Sequence, residues 1–74
     1  MDMDYIDRLI EERTDKDLSQ KTVGAVINKS QQGYDHIEKR RAKLAIEDLM
    51  KLCEFYNLSP EYILGYINER KSIK

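Results

Sequence analysis

The chain holds one cysteine, one proline, one histidine, three glycines and no tryptophan in 74 residues, and each scarcity removes a class of answer. A lone Cys53 closes no internal disulfide, and with a single histidine nothing supplies a zinc cluster. Only Pro60, Gly24, Gly33 and Gly65 punctuate the chain, so most of it is free to be helical. No run approaches the roughly 20 apolar residues of a membrane span. The opening MDMDYIDRL is acidic where a secretory leader needs basic residues and then an apolar stretch, so the expectation is a cytoplasmic protein with no membrane role. No carboxylate pair or nucleophile and base arrangement stands out, and so short a chain builds no deep pocket. The reading is a non-enzyme with no cofactor and no metal.

What is present is charge and a helical rhythm. Charged residues make up 36% and hydrophobic residues 41% of the composition, the balance of a folded domain. A single domain over 1–74 is expected, with its core over about 4–67 and a frayed end at 68–74. The net charge of −1 conceals an asymmetry. Residues 1–28 carry seven acidic and four basic side chains, a local charge of −3, whereas 29–43 carry five basic and two acidic ones, a local charge of +3.

Periodicity divides the chain into five helices. Tyr5, Ile6, Leu9 and Ile10 define the first, at about 4–14, with Asp7, Arg8, Glu11 and Glu12 on the other side; Asp2 and Asp4 suit its positive end. Ser19 caps the second, where Leu18 staples onto Val23, and Asn28 is a left-handed terminator. Gly24 lies on the buried side of that helix, which predicts a neighbour closer than a Cβ permits. Ser30 caps the third, running to about Arg40, with only Tyr34 and Ile37 as its apolar stripe. Leu44 tucks into the core before a fourth helix at Ile46–Tyr56, whose stripe is Ile46, Leu49, Met50, Leu52, Cys53 and Tyr56. Cys53 is expected to be a packed thiol. Ser59 caps the last helix, with Pro60 at its first position and Leu58 stapled to Ile63.

Two short helices a few residues apart, at about 19–40, have the spacing of a helix-turn-helix unit. In that unit the first helix braces the second, which enters the major groove of DNA with its N-terminal residues against the base edges. Gln31 and Gln32 stand in that first turn, and His36 lies one turn deeper on the side of Gln32. A glutamine amide both donates and accepts, so Gln31 and Gln32 are the candidate base readers. Gln20, Lys39, Arg40, Arg41 and Lys43 surround them as candidate phosphate contacts. Asp35 opposes phosphate unless it accepts from a cytosine amino group or pairs with Lys39.

These motifs carry a resemblance. LSQKTVGAVINKS, IEKRR and NLSPEYILG, in this order and spacing, resemble the Cro/phage-repressor type of helix-turn-helix, the Xre-like family, over Ile6 to Gly65. The resemblance implies an all-α, compact five-helix, lambda-repressor-like fold and a repressor of phage or mobile-element type that binds operator DNA as a two-fold homodimer. It also implies that Gln20 meets phosphate, that Gln31, Gln32 and His36 read bases, and that Glu38 supports the fold through a basic partner. Lys29 departs by standing where an aliphatic residue is usual, so its stem is expected to lie on the core. Ala45 gives the fourth helix no cap. Tyr62, Ile63, Tyr66 and Ile67 form the expected dimer contact. The alternative is a non-enzymatic protein-interaction module, antirepressor or antitoxin-like, for which Asp35, the net charge and the tyrosine-rich end speak.

Overall fold

In a computed structural model of the protein, residues 4–67, 69, 70 and 72 are described. They form α1 (Tyr5–Asp15), α2 (Gln20–Val26), α3 (Gln31–Glu38), α4 (Ile46–Tyr56) and α5 (Pro60–Ile63). The architecture is all-α, a five-helix domain of lambda-repressor-like type.

Local chemistry sets where the helices begin and end. Asp4 accepts from the Asp7 N–H at 2.9 Å while Asp7 accepts from the Asp4 N–H, a reciprocal capping box that satisfies two otherwise orphan donors. Ser19, Ser30 and Ser59 cap α2, α3 and α5, and Ala45 leaves α4 without a side-chain cap. Asn28 ends the α2 segment at φ 57°, the left-handed conformation that asparagine tolerates. α3 stops two residues short of the expected Arg40: Arg40 itself turns left-handed at φ 62°, and the Arg41 N–H closes back on the His36 carbonyl at 2.8 Å. Asp2 lies outside the described residues.

Thirteen apolar side chains drawn from α1 to α5, from Ile27 at the end of α2 and from the turn before α5 form one core, with Val23, Leu52 and Ile63 fully enclosed. Cys53 is buried there, and burial pushes its thiol pKa up, so the group packs as a neutral thiol. Leu18 and Leu44 pack against the edge. Gly24 has the close neighbour expected of it: a Cβ there would stand 3.0 Å from the Lys29 carbonyl and 3.1 Å from Tyr34 Cβ.

Several expectations are corrected. Ile46 and Met50 are 62% and 48% exposed rather than buried. The buried stripe of α4 is Leu49, Leu52, Cys53 and Tyr56; Ile46 lies a turn ahead of it and Met50 about 100° round from Leu49. Lys29 is exposed, and its backbone N–H donates to the Gly24 carbonyl at 2.8 Å. Glu12, placed on the outer side of α1, is 1% exposed. It is held by Lys16 at 2.8 Å and by both terminal nitrogens of Arg70, so a residue of the tail expected to fray reaches back to α1. Asn68, Lys71, Ile73 and Lys74, in the same tail, lie outside the described residues. Among the described residues no helix is long and apolar enough to cross a membrane.

Candidate nucleic-acid interface

α2 and α3 are held at contact distance by Gly24, and α3 turns Tyr34 and Ile37 inward, both at most 3% exposed. The helical repeat then places Gln31 and Gln32 outward in the first turn, where both are exposed, with His36 half-buried one turn on. The Ser30 hydroxyl accepts from the Gly33 N–H at 3.0 Å and so anchors that turn.

Beneath the outward face runs a polar network joining α1, α2 and α3. Arg13 meets Glu38 through two parallel bonds, Nε to Oε2 at 2.7 Å and Nη2 to Oε1 at 3.0 Å, and its Nη1 donates to the Leu18 carbonyl at 3.0 Å. This bidentate pair is the basic partner expected of Glu38, and it ties α1 to the end of α3. Gln20 Nε2 donates to Asp35 Oδ1 at 2.8 Å and to Glu38 Oε1 at 2.9 Å. Lys39 pairs with Asp35 at 2.9 Å. The Gln20 amide and then the Lys39 ammonium hold the Asp35 carboxyl below the usual carboxylate range.

The network revises the set of phosphate candidates. Both amide hydrogens of Gln20 are engaged with carboxylates, so its side chain has no N–H left for a phosphate; the Gln20 Oε1 instead faces Gln31 Nε2 at 3.5 Å. Lys39 is neutralised by Asp35. Arg40 points back to α1, where it bonds Asp4 at 2.8 Å and Asp7 at 2.8 Å, and those carboxylates hold its pKa above the ordinary guanidinium value. In return Arg40 holds the Asp4 carboxyl below its usual value. Arg41 and Lys43 are exposed and take part in no ion pair among the described residues. With Arg40, Ala42 and Tyr5 they line an open cleft of about 290 Å³ between the loop after α3 and the start of α1.

The expected dimer contact is also altered. Tyr62 and Ile63 are 8% and 0% exposed because they complete the domain's own core, with Arg8 lying 4.5 Å over the Tyr62 ring. Tyr66 is 81% exposed, Leu64 beside it 41%, and Ile67 half-buried. Sequence reasoning missed the engagement of Gln20 and Arg40 because their partners lie 15 to 36 positions away; the one legible signal was the spacing of four between Asp35 and Lys39. Among the described residues no group of three or more His, Cys, Asp or Glu is placed to hold a metal ion.

A capped, outward-facing helix braced by a second one through a glycine contact defines a helix-turn-helix domain, a fold common among DNA-binding regulators. A family profile described as helix-turn-helix matches residues 9–63, well over half the chain. The chain belongs to that Xre/Cro-type helix-turn-helix family. No curated protein and no solved structure matches it.

Proposed function

We propose that this protein is a sequence-specific regulator of transcription that binds double-stranded operator DNA through α3, a repressor of phage or mobile-element type. The observation that carries the proposal is the exposure of Gln31 and Gln32 in the capped first turn of α3, while Tyr34 and Ile37 hold the opposite face in the core. A major groove about 12 Å wide admits one such helix. With one N–H of Gln31 directed at Gln20, its other N–H and its Oε1 remain, a donor beside an acceptor that matches adenine N7 and N6. Gln32 and His36 read the neighbouring pairs. Arg41 and Lys43 take backbone phosphates, and Arg40 does so only by leaving Asp4 and Asp7.

The domain measures 31 × 28 × 23 Å, so one copy covers about one turn of duplex. Two copies on half-sites about 34 Å apart form the reading unit, with Tyr66 and Leu64 offering exposed apolar surface after α5 among the described residues. Bound there, the dimer represses by covering a promoter. The second reading, a protein-interaction module on the same fold, draws support from the neutralised Lys39 and Arg40 and from exposed Phe55, Leu64 and Tyr66. Capture of labelled duplex in the presence of excess random DNA separates the two: retention supports the operator reader, and a protein partner held with no duplex supports the module.

A further inference from the structure

We infer that Asp35 is a specificity-determining residue: by fixing which way the Gln20 amide faces, it decides whether Gln31 offers the duplex a donor beside an acceptor or two donors. The inference rests on the operator-reading proposal and names the control on its first contact.

Gln20 Nε2 lies 2.8 Å from Asp35 Oδ1 and 2.9 Å from Glu38 Oε1. Two carboxylate oxygens accept and never donate, so only the NH₂ end of the amide can face them; the flipped amide would set its own oxygen against both. The Gln20 oxygen is thereby turned toward Gln31, whose Nε2 stands 3.5 Å away. Gln31 then keeps one N–H and its Oε1 for the duplex, the pattern of adenine. With Gln20 reversed, its NH₂ would face Gln31 and hold the Gln31 oxygen inward, leaving two N–H donors outward, the pattern of guanine O6 and N7.

The two carboxylates do not contribute equally to this choice. Glu38 already receives both forks of Arg13, and its Oε1 is shared between Arg13 and Gln20. Asp35 Oδ1 receives Gln20, while its Oδ2 faces Lys39. Both acceptors oppose a flip, but Asp35 Oδ1 is the one that no cation shares, so its contact with Gln20 is the less screened of the two. Placed beside a phosphate-binding face, this carboxylate also opposes DNA of any sequence, so its charge and its accepting oxygen have separable consequences.

Asp35→Asn removes the charge, keeps one accepting oxygen, for which Gln20 and Lys39 compete, and adds an N–H donor; Asp35→Ala removes the charge and both oxygens. The test titrates wild type, both variants and Gln31→Ala against duplexes that differ only by A or G at the base pair where Gln31→Ala abolishes preference, with random duplex alongside and a thermal melt to verify folding. The wild type is expected to favour adenine by roughly five- to 150-fold. Asp35→Asn should keep more of that preference than Asp35→Ala, which should lose about tenfold of it or fall to parity, and both should bind random duplex more tightly. An unchanged preference in Asp35→Ala, equal loss in the two variants, or a wild type that favours guanine overturns the assignment and leaves operator reading intact. A wild type that prefers no duplex over random DNA overturns both.

Discussion

The two glycines of the helix-turn-helix unit should respond to alanine with opposite signs, although both lie in short helices. Replacing a helical glycine by alanine gains up to about 1 kcal/mol of propensity. At Gly24 the added methyl would meet the Lys29 carbonyl at 3.0 Å, Tyr34 Cβ at 3.1 Å and the Ser30 carbonyl at 3.2 Å. Two of those atoms are backbone and the third is fixed to it, so none can swing away, and α3 must move. Overpacking of that kind costs about 1 to 3 kcal/mol. Because none of the three atoms can yield, the cost falls in the upper part of that range, about 2 to 3 kcal/mol, and the net for Gly24→Ala is a loss of about 1 to 2 kcal/mol, which for a domain of this size lowers Tm by about 5 to 15 °C. At Gly33 the methyl would meet only the Ser30 hydroxyl at 3.3 Å, which must give by a few tenths of an ångström, and Lys29 Cβ at 3.8 Å, an ordinary van der Waals contact. Gly33→Ala should gain about 0.5 kcal/mol. Urea unfolding followed by circular dichroism reads both. A Gly24→Ala variant as stable as wild type, or two variants that move together, would refute the close approach of α2 and α3.

Further outcomes follow from the ion pairs. Glu38→Ala strands the Arg13 guanidinium, itself only 16% exposed, and removes an acceptor from Gln20; unfolding stability should fall by about 2 to 3 kcal/mol, and no loss would show the pair to be dispensable. Removing Arg41 and Lys43 together should flatten the salt dependence of duplex binding by a slope of about 1.8, whereas Arg40→Ala should change it less because Asp4 and Asp7 already neutralise that charge; equal slopes for Arg40 and Arg41 variants would contradict this. The folded-state pKa values of Asp4, Glu12 and Asp35 lie below their ordinary ones: Arg40 lowers Asp4, Gln20 and Lys39 lower Asp35, and at Glu12 burial pulls upward but Arg70 and Lys16 outweigh it. Groups depressed in this way stabilise the fold above the unfolded pKa and lose that contribution as pH falls through the folded value. Stability should thus be level from neutrality to about pH 5 and decline below about pH 4; a rise on acidification would reverse the assignment.

What was legible in the sequence was what neighbouring residues decide. Ser19, Ser30 and Ser59 announce helix starts because a cap acts on an N–H three residues away, and Asn28 and Gly24 announce an end and a contact for equally local reasons. Tyr34 and Ile37 against Gln31 and Gln32 divide α3 by period alone. Contacts between distant parts of the chain left no local trace. Tyr62 and Ile63 read as surplus apolar residues on a four-residue helix, yet they close the core beneath Arg8 of α1. Glu12 reads as one more outward charge until Arg70, 58 positions on, covers it. The same holds for the site. Gln20, Lys39 and Arg40 have the right chemistry for phosphate, but Asp35, Glu38, Asp4 and Asp7 reach them first, and only the folded chain sets that competition.

The most direct measurement for the account as a whole is selection of bound duplexes from a random pool by the wild-type protein and by the Gln31→Ala, Gln32→Ala double variant. The account predicts a two-fold symmetric site with half-sites about one helical turn apart, recovered by the wild type, and a loss of about 1 to 3 kcal/mol per broken base contact in the variant with random-DNA binding retained. Recovery of the same site with the same affinity by both proteins would contradict it.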